Sequence, residues 1–266
     1  MTDDRPSFLI VNDDGVASPM LAPMAEKLSA LGTVRIVVPV EEQSWRGKSV
    51  TRFGALHAEP RSEFGVEAHA ISGTPSDCVN LAIHHLLPQR PDWIVSGINV
   101  GSNVGSGFII NSGTIGAALE GLIQGVSSVA FSTYLEPRYF REWSEQKALT
   151  SPEALQVVDT TTTRMAGMMA SLLSSGTALR SSILNINFPG VVSPDTPVRW
   201  VPPQVTRYGS LFRRNGDGSF VHAASVDLKD DGEQATDRAV VLGGGISVTA
   251  LSMDSLQVEP EGDISF

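Results

Sequence analysis

The chain has 266 residues, 41% hydrophobic and 18% charged, with 25 glycines and 16 prolines; this composition excludes disorder and fits one large domain with at most a small appendage. A net charge of -10 argues against nucleic-acid duplex or an anionic membrane as partner, and requires any phosphate site to supply its own local positive charge. One cysteine, Cys78, allows no internal disulfide, no apolar run approaches the ~18 residues of a membrane span, and the acidic, polar N-terminus carries no leader pattern, so a cytoplasmic protein is expected.

In chain order, Phe8-Leu9-Ile10-Val11 is a continuous apolar run ending in Asn12-Asp13-Asp14-Gly15, the pattern of a buried parallel strand opening into a loop. A helix over 19–31 and a strand over 34–38 follow, and then a polar loop over 41–51. A strand over 68–71 leads to Gly73-Thr74-Pro75-Ser76-Asp77, where Thr as N-cap, Pro at the first position and Asp in the first turn start a helix reaching residue 87. A strand over 93–96 precedes a Gly/Asn/Ser-rich loop over 97–113, an Ala/Leu helix over 114–124 and a strand over 128–131. A helix over 151–174 and a strand over 183–188 complete the series.

Alternating strands and helices at this spacing predict an α/β, Rossmann-like three-layer αβα fold with a parallel sheet. The core spans 1–189. Prolines and turn sequences after Pro189, at Asn215-Gly216-Asp217-Gly218 and Gly243-Gly244-Gly245, predict a hairpin-rich C-terminal extension over 190–266, with 246–251 returning as a strand. Ligands in such folds bind beyond the carboxyl ends of the strands, where the polar clusters fall.

Asp13 and Asp14 at the end of the first strand offer two hard oxygen ligands for Mg²⁺ or Mn²⁺; an Asx turn capping the next helix reads equally well from these residues alone. Ser44 lies within reach of the same sheet edge, or in an ordinary solvated loop. Gly47-Lys48-Ser49 resembles the end of a P-loop, but Glu42 stands where its first glycine is required. The stretch from Ser96 to Gly105 lets the backbone approach a ligand while Asn99 and Asn103 offer amides, and it lacks G-x-G-x-x-G spacing. Ser112-Gly113-Thr114 enters the next helix as a phosphate seat or as a routine N-cap. His57, His69 and His222 are isolated, adjacent His84 and His85 cannot clasp one metal, and no nucleophile pairs with a base. No general acid identifies itself.

Taken in fixed order, Asn12-Asp13-Asp14-Gly15, Gln43-Ser44, Gly73-Thr74-Pro75-Ser76-Asp77-Cys78-Val79, Ser96-Gly97-Ile98-Asn99-Val100-Gly101-Ser102-Asn103 and Ser112-Gly113-Thr114 closely resemble the SurE family, stationary-phase survival proteins that act as metal-dependent 5′-nucleotidases. Asn185-Ile186-Asn187 and Thr236-Asp237 are weaker matches. The resemblance implies one divalent metal ion per subunit, magnesium or manganese, on Asp13, Asp14, Ser44 and Asn99. It places Asn12, Asn103, Ser112, Gly113 and Thr114 near the substrate phosphate, and it implies a homodimer or homotetramer with an exchanged C-terminal hairpin. The chain departs from the family pattern at Trp45, where a small residue is usual after Ser44, and at Asn111, where Tyr is common. The loop between Gly105 and Ser112 is one residue longer.

The function expected is hydrolysis of nucleoside 5′-monophosphates through a metal-activated water, with Asp13 and Asp14 catalytic. The alternatives are the same chemistry on a non-nucleotide phosphate ester and nucleotide binding without turnover. An aspartyl-phosphate route of the haloacid dehalogenase type needs Asp-x-Asp, and here the position two after Asp13 is Gly15.

Overall fold

A computed structural model describes residues 5–223 and 235–256. Its elements are, in order, β1 (Ser7–Val11), α1 (Leu21–Ser29), β2 (Thr33–Pro39), β3 (Ala58–Arg61), β4 (Glu67–Ile71), α2 (Pro75–Leu81), β5 (Trp93–Val100), α3 (Ser106–Asn111), α4 (Gly113–Ile123), β6 (Ser127–Thr133), α5 (Pro137–Gln146), α6 (Pro152–Ser174), β7 (Ser182–Phe188), β8 (Val198–Trp200), β9 (Phe212–Arg214), β10 (Phe220–His222), α7 (Asp237–Leu242) and β11 (Ile246–Ser252).

The first apolar run has no alternation because both faces of β1 are covered. Phe8 and Ile10 join the core beneath α1 and α6, while Leu9 and Val11 join the one beneath α2 and α4; successive side chains of a strand point to opposite faces. Each fully buried side chain of this kind stabilises the fold by about 1.5–3 kcal/mol. The result is the three-layer α/β architecture expected.

One sheet carries nine strands in the order β3-β4-β2-β1-β5-β6-β7-β11-β8. From β4 across to β7 every neighbouring pair is parallel, whereas β3 and β11 lie antiparallel to β4 and β7, so the sheet is mixed at its edges. The strand order reverses between β1 and β5. Their carboxyl ends therefore open the crevice in which such folds bind ligands, and Asp13 and Asn99 stand on its two sides.

Several segments differ from the sequence reading. β5 continues to Val100, resuming its pairing with β6 at Asn99 and Ser132 after an irregularity. Gly97 allows this: at φ 115 a side chain there would collide with the Phe131 carbonyl. Within the expected loop, α3 forms because Ile109 reaches a small core with Ile115 and Ala118. α5 and the edge strand β3 were not anticipated: both are short and polar, and α5 buries only Tyr139 and Trp143. The helix from Pro75 ends its α-helical part at Leu81 and closes with a π-helical turn, Ala82–Leu86.

Beyond Pro189, Asn215-Gly216-Asp217-Gly218 turns the β9–β10 hairpin as expected, with the Asn215 N–H donating to the Ser219 carbonyl at 2.8 Å. The triple glycine does not turn a hairpin. Thr236 caps α7, Gly243 ends it, and Gly244 at φ 83 redirects the chain into β11. β11 returns to the sheet as expected, between β7 and β8.

The capping box at Thr74 is present and does more than start α2. The Asp77 carboxylate accepts from the Thr74 N–H at 2.9 Å, from the Thr51 N–H at 3.0 Å and from the Thr51 hydroxyl at 2.6 Å, while the Thr74 hydroxyl donates to the Ser49 carbonyl at 2.7 Å. The loop bearing Ser44 is thus tied to α2. Asp77→Ala removes half a capping box and several charge-assisted bonds at a buried site, a loss of roughly 3 kcal/mol, to be read as a lower urea midpoint with an unchanged slope.

Candidate active site

Asp13 follows β1 directly, and its Oδ1 accepts from the Thr114 hydroxyl at 2.6 Å. Asp14 is buried behind it, and both of its hydrogen bonds, from the Val100 N–H at 3.0 Å and the Ser18 hydroxyl at 3.4 Å, fall on Oδ2. Burial pushes the Asp13 carboxyl above its ordinary value despite the Thr114 contacts. Burial, followed by the neighbouring Asp13 charge, pushes Asp14 well above it. Neither carboxylate has a Lys, Arg or His partner among the described residues. Two like charges buried without a counter-charge are unfavourable unless protonated or neutralised by a cation.

A cleft of about 410 Å³ opens over Asp13. It brings together Asp13, Ser44, Asn99, Asn103 and Ser112 from the ends of β1, β2, β5 and α3. Asn12, Asp14, Gly113 and Thr114 are buried and do not line it. Asn12 is fully buried, and its side chain brackets Gly15, donating to its carbonyl at 3.0 Å and accepting from its N–H at 3.2 Å.

Ser44 donates to Glu42 Oε1 at 2.7 Å, which leaves the lone pairs of its hydroxyl oxygen to other partners. Asn99 commits its amide nitrogen to the Gly101 carbonyl at 2.7 Å, so its side-chain oxygen remains as a ligand atom. Ser112 caps α4, accepting from the Ile115 N–H at 3.2 Å. Lys48 turns away to pair with Glu120 at 2.7 Å, consistent with rejection of the P-loop reading. Two buried carboxylates with neutral oxygens at one sheet edge fit a hard divalent cation; among the described residues no third His, Cys, Asp or Glu joins them.

Gly113 is pressed against this pair: a side-chain carbon there would lie 2.8 Å from Asp13 Cβ and 3.0 Å from its Oδ2. Gly113→Ala should displace Asp13 while leaving α4 intact, because alanine favours a helix. The expected result is a loss of turnover of about tenfold or more with unchanged far-ultraviolet circular dichroism.

Two groups of residues at the site have no role assigned from the sequence, although Asn185-Ile186-Asn187 and Trp45 stand out in it. Asn185 and Asn187, on one face of β7, hold the loop after β5: the Asn103 N–H donates to Asn187 Oδ1 at 2.8 Å, and the Asn185 amide donates to the Asn103 carbonyl at 2.8 Å. An Asn-x-Asn alternation inside an apolar strand was the available signal. The second group is aromatic. Trp45, Phe108, Phe140, Trp143 and His222 line the cleft, and they come from elements distant in the chain.

The chain is similar to known proteins over most of its length. A model of the family described as Survival protein SurE matches residues 8–213. The chain belongs to the SurE family. Two proteins named 5′-nucleotidase SurE resemble it over nearly their whole lengths: that of Methanosarcina acetivorans is 33% identical, covering 94% of this chain and 93% of its own. That of Cytophaga hutchinsonii is 34% identical, with 94% and 92% covered. The crystal structure of the SurE protein from Aquifex aeolicus superposes with a TM-score of 0.74 at 28% identity, covering 94% of both chains. The mostly parallel sheet flanked by helices is thus shared with a SurE structure.

Proposed function

We propose that the chain is a phosphomonoesterase that converts nucleoside 5′-monophosphates to nucleoside and phosphate, with one Mg²⁺ or Mn²⁺ per subunit held by Asp13, Asp14, Ser44 and Asn99. The observation that carries this reading is the buried Asp13 and Asp14 pair, without a protein counter-charge among the described residues, beside a cleft that Ser112 at the start of α4 also lines. A cation there would neutralise phosphoryl oxygens and lower the pKa of a coordinated water.

The chain's own residues do the positioning. Thr114 fixes the Asp13 carboxylate, and Val100 with Ser18 fixes Asp14, so both acids are held before substrate arrives. Ser112 and the opening of α4, with Gly113 and Thr114, seat the phosphate where a helix presents unpaired N–H groups. Asn12 and Asn103 brace the walls, Asn12 through the turn at Gly15 and Asn103 through the β7 asparagines. Of the segment after Pro189, β8 and β11 belong to the core sheet, and the β9–β10 hairpin serves assembly into a homodimer or homotetramer, which sedimentation velocity measures.

No helix among the described residues is long and apolar enough to cross a membrane, and we place the reaction in the cytoplasm. The test is phosphate release from 5′- and 3′-nucleoside monophosphates beside sugar phosphates, with Mn²⁺ present. Preference for the 5′-nucleotides supports the proposal. Turnover of sugar phosphates alone moves the same chemistry to another ester, and nucleotide binding without release leaves a binding protein.

A further inference from the structure

We infer that Trp45 is the platform on which the leaving nucleoside's base stacks, and that it sets this chain's preference for nucleotides over base-free phosphate esters. This inference rests on the phosphatase reading above and names the part of the cleft that reads the leaving group.

The first observation is the backbone. Trp45 lies at φ 62, in the left-handed region, and among the described residues only Lys147 is another non-glycine residue with positive φ. Glycine occupies that region without steric conflict, whereas a bulky residue does so only when its surroundings hold it there. A large aromatic side chain in a glycine-like conformation points to a role for the side chain.

Its surroundings also hold the ring. The indole meets the Phe108 ring edge-to-face at 5.8 Å and the His222 ring at 4.9 Å, the first from α3 and the second from the β9–β10 hairpin. Phe108 is in turn 6.2 Å from Tyr208, and His222 is 5.9 Å from Phe212. Despite these contacts Trp45 remains 38% exposed and lines the cleft. An indole held by two neighbouring rings and still partly exposed to a cleft is a preorganised stacking surface.

The chemistry of the cleft supplies the ligand. Asp13, Ser44 and Ser112 offer hard oxygens and a helix start, and Trp45 and His222 offer planar rings, all around one cleft. Trp45 is the next residue after Ser44, about 3.8 Å along the chain, and lines the same cleft as Ser112, so a phosphate seated at Ser112 has the indole within reach of what it is esterified to. One small molecule that uses both surfaces is a phosphate ester whose alcohol carries a planar base. Stacking on an aromatic ring is tolerant of base identity, so the preference expected is for a base over none.

The test compares kcat/KM for adenosine 5′-monophosphate and for ribose 5-phosphate, with Mn²⁺, in the wild type, Trp45→Gly and Trp45→Phe. Glycine is chosen because it accepts the backbone at φ 62, so the loop keeps its course. We expect the ratio of the two specificity constants to fall between about fivefold and a hundredfold in Trp45→Gly, the range that loss of a base stack spans. The loss should appear mainly in KM for the nucleotide, and Trp45→Phe should restore most of the ratio. An equal change for both substrates, or no change for either, would overturn the base platform while leaving the phosphatase reading standing. Release of phosphate from neither ester by the wild type would overturn the phosphatase reading and the platform with it.

Discussion

Asp14→Asn is expected to reduce kcat/KM for a nucleoside 5′-monophosphate at least a hundredfold, an estimate of about the size that loss of one preorganised electrostatic group produces, without loosening the fold. The carboxylate is buried, both of its hydrogen bonds fall on one oxygen, and burial together with the Asp13 charge raises its pKa well above the ordinary value. Asparagine keeps the shape and removes the charge. Without metal, the variant should therefore be as stable as the wild type or more so, because a buried like-charge repulsion disappears. Activity with Mn²⁺ and the urea midpoint in EDTA separate the two effects. A fall in both would assign Asp14 a structural role.

The second large effect is on stability and its pH dependence. Added Mn²⁺ should raise the melting temperature at neutral pH by roughly 5–10 °C at about a hundred times its Kd, from a linkage of about 2.7 kcal/mol and about 2–4 °C per kcal/mol for a domain of this size. The sign with pH follows from the direction of the shifts. Both carboxyls are raised above their ordinary range in the folded chain, so the metal-free native state binds more protons than the unfolded chain between the ordinary and the raised values. Stability of the metal-free chain thus falls as pH rises through that window, and the penalty persists above it. Near pH 4 the penalty is absent and protons compete with the cation. The gain from Mn²⁺ should shrink as pH is lowered from 7 towards 4, and differential scanning calorimetry with and without EDTA reads it. A gain that grows on acidification would contradict this origin.

What was legible in the sequence was local. The apolar run at Phe8 to Val11 carries its strand and its double-sided burial, and Thr74-Pro75-Ser76-Asp77 carries its helix start, because period and cap chemistry act over a few residues. The polar strings after the strands could be gathered to one crevice because the α/β connection rule sends every such loop to the same sheet edge. The pieces not legible depend on distant contacts. α5 is polar over most of its length, and only the burial of Tyr139 and Trp143 fixes it. Gly243-Gly244-Gly245 has hairpin composition, and only the Thr236 cap upstream turns the segment before it into a helix. No spacing rule brings residues 45, 108 and 222 to one wall, so Phe108 and His222 were missed, whereas the ring at Trp45 stood out as a departure beside Ser44. Asn12 is the converse case, because the family resemblance placed it near the phosphate while its side chain closes the turn at Gly15.

The most direct test of the account is phosphate release from adenosine 5′-monophosphate by the wild-type chain in Mn²⁺, after EDTA treatment, and again after Mn²⁺ is restored. The account predicts turnover that is lost on chelation and recovered on readdition, with Asp13→Asn and Asp14→Asn inactive at every stage. Turnover that survives EDTA, or that persists in both aspartate variants, would contradict it.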